Sequence, residues 1–484
     1  MNYETFVGLE IHVELKTESK LFCGCKTLYG SQPNSQCCPI CTGMPGALPV
    51  MNKKAVELAV KAGLALNCSI SKYNSMDRKN YFYPDSPKSY QITQQFNPIC
   101  RNGYLDIEYD GIKKRIGITR IHLEEDAGKL LHDGDSSKTL IDYNRAGIPL
   151  IEIVTEPHIN TPEEATAFLE ELRLILLYIG VSDVRMQEGS LRCDVNLSIR
   201  PAGETELGTR TEMKNLNSFR AVSRAIRHEE ERQISLVESG AKVGWETRRW
   251  DDRKNRSFTL REEQDLWDYR YFQDPDLTPF IVPDSLVKEI RVNMPELPEA
   301  KRARFISEYS LPLYDTRVLV QSKTMTDFFE ECLGLYDPER TPKSSKVMSN
   351  WLMGEVSRLL KDRNIGLDEL GLTPLHLSEL QKHIDKGTIS GSMAKEILVI
   401  CCDTGKAPSQ VIESKGLAQI SDVDELKSVI RLVIDENPGP VEDFRAGKDK
   451  ALGYMIGQVM RMTGGKANPQ LANRLFQAEI QKGR

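Results

Sequence analysis

From the N-terminus to about residue 293 the chain alternates apolar and polar side chains in short runs. Examples are Phe6-Val7-Gly8-Leu9-Glu10-Ile11-His12-Val13-Glu14-Leu15 and Leu105-Asp106-Ile107-Glu108-Tyr109. A period of two sends successive side chains to opposite faces, so these runs predict a mostly antiparallel sheet with one buried face. Helices interrupt it. Ala55, Leu58, Ala59 and Ala62 recur at helical spacing, and Thr161-Pro162-Glu163-Glu164 opens another helix. There Thr161 fits the N-cap, Pro162 the first helical position and Glu164 the return partner of a capping box, while Gly180 ends the helix. A third helix is expected from Ser218 toward Gly240. Its Arg220, Arg224, Arg227 and His228 read either as a basic face or as a solvated surface balanced by Glu229, Glu230 and Glu231.

After Pro295 and Pro298 strand-like alternation fades and helical patterns run to the end, which places a boundary near 294. A softer break falls at Thr404-Gly405-Lys406-Ala407-Pro408. The expected domains are therefore residues 1–293, 294–408 and 409–484 of an α+β protein. In the last, Leu452, Met455, Ile456, Val459 and Met460 follow helical core spacing.

A chain of 484 residues exceeds one ordinary core and agrees with several domains. No run of eighteen apolar residues occurs, and the opening Met-Asn-Tyr-Glu-Thr-Phe-Val-Gly has neither a basic region nor an apolar signal core, so no membrane association and a cytoplasmic address are expected. With 64 basic and 70 acidic side chains the net charge is −6, so any contact with nucleic acid must be local. The eleven cysteines are expected to stay reduced, and where they cluster metal binding is favoured over disulfides.

One such cluster is Cys23-Gly24-Cys25 followed by Cys38-Pro39-Ile40-Cys41. Two close-spaced pairs can close a tetrahedral zinc site of structural type. Free thiols in a loop are the alternative, and the adjacent Cys37 leaves the register of the second pair open. The acidic groups say more. Glu10, His12 and Glu14 share one strand face, which an ordinary buried face would not tolerate. Ile121-His122-Leu123-Glu124-Glu125-Asp126, Glu152 within Pro149-Leu150-Ile151-Glu152-Ile153, and Asp194 within Arg192-Cys193-Asp194-Val195-Asn196 place further carboxylates on or beside strands. A carboxylate in an apolar strand needs a cation or donors to stay charged, and a hard divalent ion is one such partner. Ordinary salt bridges are the other reading. Asp77-Arg78-Lys79-Asn80-Tyr81-Phe82-Tyr83-Pro84-Asp85 and Asp268-Tyr269-Arg270-Tyr271-Phe272 mix aromatic and basic groups, suiting a nucleotide or tRNA end as well as interdomain packing. Lys214, just before a helix start, is a candidate phosphate contact. No P-loop, Gly-x-Ser-x-Gly elbow or Ser/Gly-rich amidase stretch occurs, so this chain is not expected to liberate ammonia by itself.

Taken in order, Val7 to Leu15, Arg78 to Asp85, Glu124 to Lys129, Pro149 to Glu152, Gly189 to Asp194, Lys214 to Ser218 and Asp268 to Phe272 resemble successive signatures of the B subunit of the aspartyl/glutamyl-tRNA(Asn/Gln) amidotransferase family. Gly387-Thr388-Ile389-Ser390-Gly391, Ala446-Gly447-Lys448 and Gly465-Lys466-Ala467-Asn468-Pro469-Gln470 extend the resemblance to the end. The chain departs from the family's Asp-Leu-Pro-Lys-Gly-Tyr at Asp85-Ser86-Pro87-Lys88-Ser89-Tyr90.

The resemblance implies a cradle domain around the sheet, a helical domain and a YqeY-like, tRNA-binding tail, assembled into a heterotrimer with the family's amidase, its A subunit, and a small C subunit. It implies an ATP-dependent ligase that phosphorylates the side-chain carboxylate of misacylated Glu-tRNA(Gln) or Asp-tRNA(Asn) and amidates it with ammonia released by the amidase. Carried over by position, it implies a magnesium shell of Glu10, His12, Glu125, Glu152 and Asp194, with Glu124 the substitute for its neighbour. Glu125, Glu152, Lys79 and Lys214 would act in catalysis, and Tyr81, Asn215 and Arg270 would contact ATP or the aminoacyl end. A structural zinc would sit on Cys23, Cys25, Cys38 and Cys41. The competing reading is a non-catalytic, zinc-containing tRNA-binding scaffold, which predicts dispersed acidic groups.

Overall fold

The computed structural model describes residues 2–132, 138–262, 269–416, 423–463, 467 and 469–482. Of the motif residues above, Asp268, Gly465, Lys466 and Asn468 lie outside the described residues. The chain forms two compact units, Met1–Pro298 and Glu299–Arg484.

Nine strands of the first unit make one sheet: β1 (Tyr3–Glu14), β2 (Ser69–Ile70), β3 (Cys100–Tyr109), β4 (Ile112–Glu125), β5 (Pro149–Thr155), β6 (Leu191–Pro201), β7 (Thr211–Leu216), β8 (Glu246–Asp251) and β9 (Arg256–Glu262). Their spatial order is β9-β8-β7-β6-β1-β5-β4-β3-β2, which puts the first strand in the middle. Antiparallel pairing dominates, as the alternation predicts. The exception is β7 with β8, which run parallel because a helix carries the chain from one to the other, as parallel neighbours require.

Three helices cover one face: α1 (Lys53–Ala65), α2 (Pro162–Tyr178) and α3 (Phe219–Glu238). Alternate residues of β1, Val7, Leu9, Ile11 and Val13, are at most 1 % exposed and join Ala59, Phe168, Leu172, Val222 and Ile226 from the helices in one core. Register carries the apolar set across the sheet, with Ile11 opposite both Ile153 and Cys193 and Ile151 opposite Leu123. The helix starts follow from their caps: Asn52 accepts from Lys54 and Ala55, Thr161 from Glu164, and Ser218 from Ala221. The expected capping box at α2 is shifted by one residue, because Glu164 Oε2 accepts from the Asn160 amide (2.7 Å) and pairs with Lys114 Nζ (2.7 Å) instead of returning to Thr161. Gly180, at φ 68°, ends the helix as expected.

The second unit is helical. Gly405, at φ 67°, stops the helix Gly391–Thr404 at the expected break. In the last four helices Met455 and Val459 are fully buried with Leu426, Ile430, Val433 and Phe476, and Leu452 and Met460 pack at the border of this core. Ile456 is only half-buried.

The departure from the family pattern at Ser89 has a conformational consequence: its φ is 62°, a left-handed backbone that suits the family's glycine better than serine. Ser89→Gly removes that strain at the expense of extra unfolded-chain entropy, for an expected gain of roughly 0.5–1 kcal/mol, read as a higher urea midpoint with unchanged slope.

Candidate active site

The sheet face turned away from the helices is polar. Antiparallel partners share a face, so register alone assembles a row: Asp194 stands opposite Glu10, Arg192 and Glu152 opposite His12, and His122 opposite Glu152. His12, Glu124 and Glu152 are brought together so closely that their ligand atoms lie within 4.8 Å of one another. His12 Nε2 is 3.4 Å from Glu152 and 3.6 Å from Glu124; His122 Nε2 lies 3.5 Å and 3.6 Å from the same two carboxylates. Burial disfavours charge on His12, but hydrogen bonding to Glu152 and the two carboxylate charges outweigh it and raise its pKa to about 9. Glu152 is also opposed by burial, yet His122, His12 and Lys79 hold its carboxyl well below the usual range.

Glu125 is not brought into this cluster. Strand alternation turns it away from Glu124, and it accepts from the Ile92 amide (3.0 Å) and pairs with Lys88. Its neighbour Glu124 occupies the place beside His12 and takes a hydrogen bond from Thr93 Oγ1 (3.2 Å). His122 is the residue that sequence reasoning passed over. Its signal was the spacing His122-x-Glu124, which mirrors Glu10-x-His12 and puts both side chains on one strand face.

Asp194 stands one strand away from the triad, held by Lys214 Nζ at 2.9 Å, and Lys214 also meets Glu212 at 2.7 Å. Burial opposes the charge of Lys214, but these two carboxylates hold its pKa above the ordinary lysine value. Glu10 lies between the two groups and accepts from Asn196 Nδ2 (2.8 Å). Burial, then the charges of Glu152 and Glu212, push its pKa up. At the end of β1, burial and then the charge and hydrogen bonding of Asp126 raise Glu14 to about 8. Asp126 is held in turn by Arg192 (2.8 Å) and Arg145 (3.6 Å).

A small sheet of Asp77–Asn80, Tyr90–Thr93 and Phe272–Gln273 supplies the next groups. Burial opposes the charge of Lys79, but Tyr271, Glu124 and Glu152 together hold its pKa above the usual value, and its Nζ lies 4.7 Å from the Tyr269 ring centroid. Burial raises the Tyr81 phenol to about 12 despite Lys79 nearby. Arg270 is exposed, at φ 44°, with its carbonyl held by Asn80 Nδ2 (2.8 Å). Asn215 is exposed at φ 69° and donates to the Trp250 carbonyl (2.9 Å), so its amide supports the β7–β8 junction. The basic row on α3 is paired in part: Arg224 with Asp252, and Arg227 with Glu163 (3.1 Å).

The sulfur atoms of Cys23, Cys25, Cys38 and Cys41 also lie within 4.8 Å of one another. A hydrogen bond from Cys23 lowers the Cys41 thiol to about 4, helped by the Cys38 amide (3.2 Å) and Lys20 Nζ (3.6 Å), while burial lifts Cys25 to about 11. Cys37 stands outside this set, with its sulfur 3.9 Å from Asn144 Oδ1.

An apolar face under helices and a polar face of converging carboxylates, imidazoles and lysines define an α+β enzyme domain. Residues 5–288 match the GatB/GatE catalytic domain family and residues 327–480 the GatB domain family. Over 482 residues, covering all of both chains, this chain is 56% identical to the B subunit of the aspartyl/glutamyl-tRNA(Asn/Gln) amidotransferase of Caldanaerobacter subterraneus subsp. tengcongensis. It is 55% identical to that of Thermoanaerobacter sp., again over the whole of both chains, and 49% identical to that of Clostridium tetani over 483 residues with the same coverage. The chain belongs to the B-subunit family of tRNA-dependent amidotransferases and is a component of a ligase. Among the described residues no helix is long and apolar enough to cross a membrane.

The Lys214 network generates a stability test. Lys214→Met removes the ammonium that both Asp194 and Glu212 contact, so the urea midpoint falls; adding Glu212→Gln abolishes the repulsion between the two carboxylates and recovers part of the loss. Equal midpoints for the single and double variants refute the coupling.

Proposed function

We propose that the polar face catalyses ATP-dependent activation of the side-chain carboxylate of a misacylated tRNA, Glu-tRNA(Gln) or Asp-tRNA(Asn), followed by its amidation. The observation that carries this reading is the convergence of His12, Glu124 and Glu152 beside Lys79. A carboxylate is a poor acyl donor because oxide would have to leave. Transfer of the γ-phosphoryl of ATP onto it releases ADP and forms an acyl phosphate; attack by ammonia then expels phosphate and leaves the amide. Ammonia comes from glutamine hydrolysed by a partner amidase, and a small third chain completes the heterotrimer.

The donor set of two carboxylates and an imidazole fits a divalent cation with oxygen preference, magnesium or manganese, and would hold it with Glu10, which feels the charge of Glu152, and with Asp194 opposite Glu10 on the same face. Bound there, the cation neutralises charge on the transferred phosphoryl group. The residues around it do the positioning. Lys79 faces the same carboxylates and meets phosphate oxygens, Lys214 releases Asp194 or Glu212 to follow a phosphate, and Tyr81 and Arg270 border the aminoacyl end. Cys23, Cys25, Cys38 and Cys41 would hold a zinc ion of structural type, because four thiolate ligands leave no open position for substrate.

The test is a transamidation assay of the heterotrimeric enzyme with each misacylated tRNA, with and without ATP. Glu124→Gln and Glu152→Gln are expected to lower phosphorylation of aminoacyl-tRNA by a hundred-fold or more while glutamine hydrolysis persists, on the order of one lost charge-stabilising contact. Glu125→Gln is expected to keep manganese affinity, measured by electron paramagnetic resonance, since it stands apart from the cluster. Full phosphorylation in both cluster variants would falsify the assignment. For the zinc site, Cys38→Ser is expected to lose bound zinc and thermal stability, whereas Cys37→Ser keeps both, as read by metal analysis and calorimetry.

A further inference from the structure

Among the described residues the sheet ends at β9, which has a partner on one side alone. The two faces of the β8–β9 hairpin differ sharply. Arg248 and Trp250 turn toward α3: Arg248 Nε is 3.8 Å from Glu229, and Trp250 is fully buried with its ring 5.6 Å from His228. Alternate positions therefore turn to the side of the carboxylate cluster. Thr247 Oγ1 donates to Glu212 Oε2 (2.9 Å), and register sets Arg249 beside Lys214 on one flank and Phe258 on the other.

This edge is basic and aromatic. Phe258 is 37 % exposed, with the Arg256 guanidinium 4.7 Å and Lys254 Nζ 5.2 Å from its ring centroid, and Leu260 beyond it is 55 % exposed. Lys254 lies 4.0 Å from Asp251, whose carboxylate also takes the Arg253 amide (3.1 Å) and stands opposite Arg256 in the register, but the guanidinium groups of Arg249, Arg253 and Arg256 form no ion pair among the described residues. On a chain of net charge −6, arginines without an ion-pair partner around an exposed ring are a local anion site with a stacking platform.

A continuous row on one sheet face joins this edge to the reaction centre: Phe258, Arg249, Lys214, Asp194, Glu10 and, beyond, Glu152. With neighbouring strands about 4.8 Å apart, the ring is roughly 19 Å from the central strand. That is too far for the phosphates of an ATP whose γ-phosphoryl group reacts at the cluster, and it suits a longer polyanion. We propose that the β8–β9 edge binds the single-stranded 3′ end of the tRNA, with Phe258 stacked on a base and Arg249 and Arg256 on flanking phosphates. The edge thereby aims the aminoacyl group at His12, Glu124 and Glu152. This inference rests on the reading that aminoacyl-tRNA is the substrate.

The experiment uses the heterotrimeric enzyme. Phe258→Ala and the pair Arg249→Ala/Arg256→Ala are each expected to raise KM for misacylated tRNA about ten-fold, while KM for ATP and glutamine hydrolysis stay at wild-type values. The arginine pair also makes the dependence of log KM on log salt shallower by about 1.4. Phe258→Tyr, which keeps the ring, restores the wild-type KM, and Arg220→Ala on α3 changes nothing. Wild-type KM and salt slope in every edge variant overturn the proposal; a raised KM for ATP instead assigns the edge to the nucleotide and overturns it as well. Should the wild-type enzyme not transamidate, the functional reading fails by itself. Filter binding of tRNA to the Phe258→Ala and wild-type complexes, which needs no turnover, then decides the edge by a ten-fold loss or by equal affinity.

Discussion

A charge placed on a half-buried sheet face must be compensated where it stands, and that constraint organises this protein. The central strand β1 is apolar on one side and carries Glu10, His12 and Glu14 on the other. Leaving such carboxylates unpaired costs several kcal/mol each. The surrounding chain therefore brings a cation or a proton to each of them: two imidazoles and Lys79 for Glu124 and Glu152, Lys214 for Asp194 and Glu212, Arg192 and Arg145 for Asp126, and Lys88 for Glu125. Glu10 and Glu14 are met by raised proton affinity instead.

A network of this kind can exchange partners. Each side-chain cation stands beside carboxylates that are already gathered, so the cost of desolvating those carboxylates is already offset. Rigid support comes from the opposite face, where Leu9, Ile11, Ile153 and Val195 lock β1, β5 and β6 into one register. The thiol cluster stands apart from that exchange. Its sulfur atoms hydrogen-bond among themselves and with Lys20, and Cys41 borders the same pocket as Glu125 and Lys88.

Much of this was legible in the chain itself. Period-two alternation marked β1 and β3, an apolar run around Glu152 marked β5, and caps at Thr161, Ser218 and Gly180 located their helices to within a residue or two, because those signals act over only a few positions. Less could be read where a choice depended on a second strand. Glu124 and Glu125 are equivalent as letters; alternation separates them, but which one faces His12 follows from the pairing of Leu150 with Glu124 across β5. His122 carried no role in the sequence until its strand lay beside Glu152. The parallel β7–β8 pair and the shifted capping contact of Glu164 likewise depend on groups contributed from elsewhere.

By itself, then, the amino-acid sequence determined the class of elements, the apolar and polar face of each strand, the thiol pairs and the family. Those properties come from local periodicity, capping chemistry and the order of motifs. Tertiary structure alone decided which carboxylates share a cation-sized space, that Lys214 is held by Asp194 and Glu212, and that the basic edge at Phe258 lies on the face of the His12, Glu124 and Glu152 cluster. Each of these depends on inter-strand register between segments up to about two hundred residues apart in sequence, set by hydrogen bonds and core packing that no local pattern encodes.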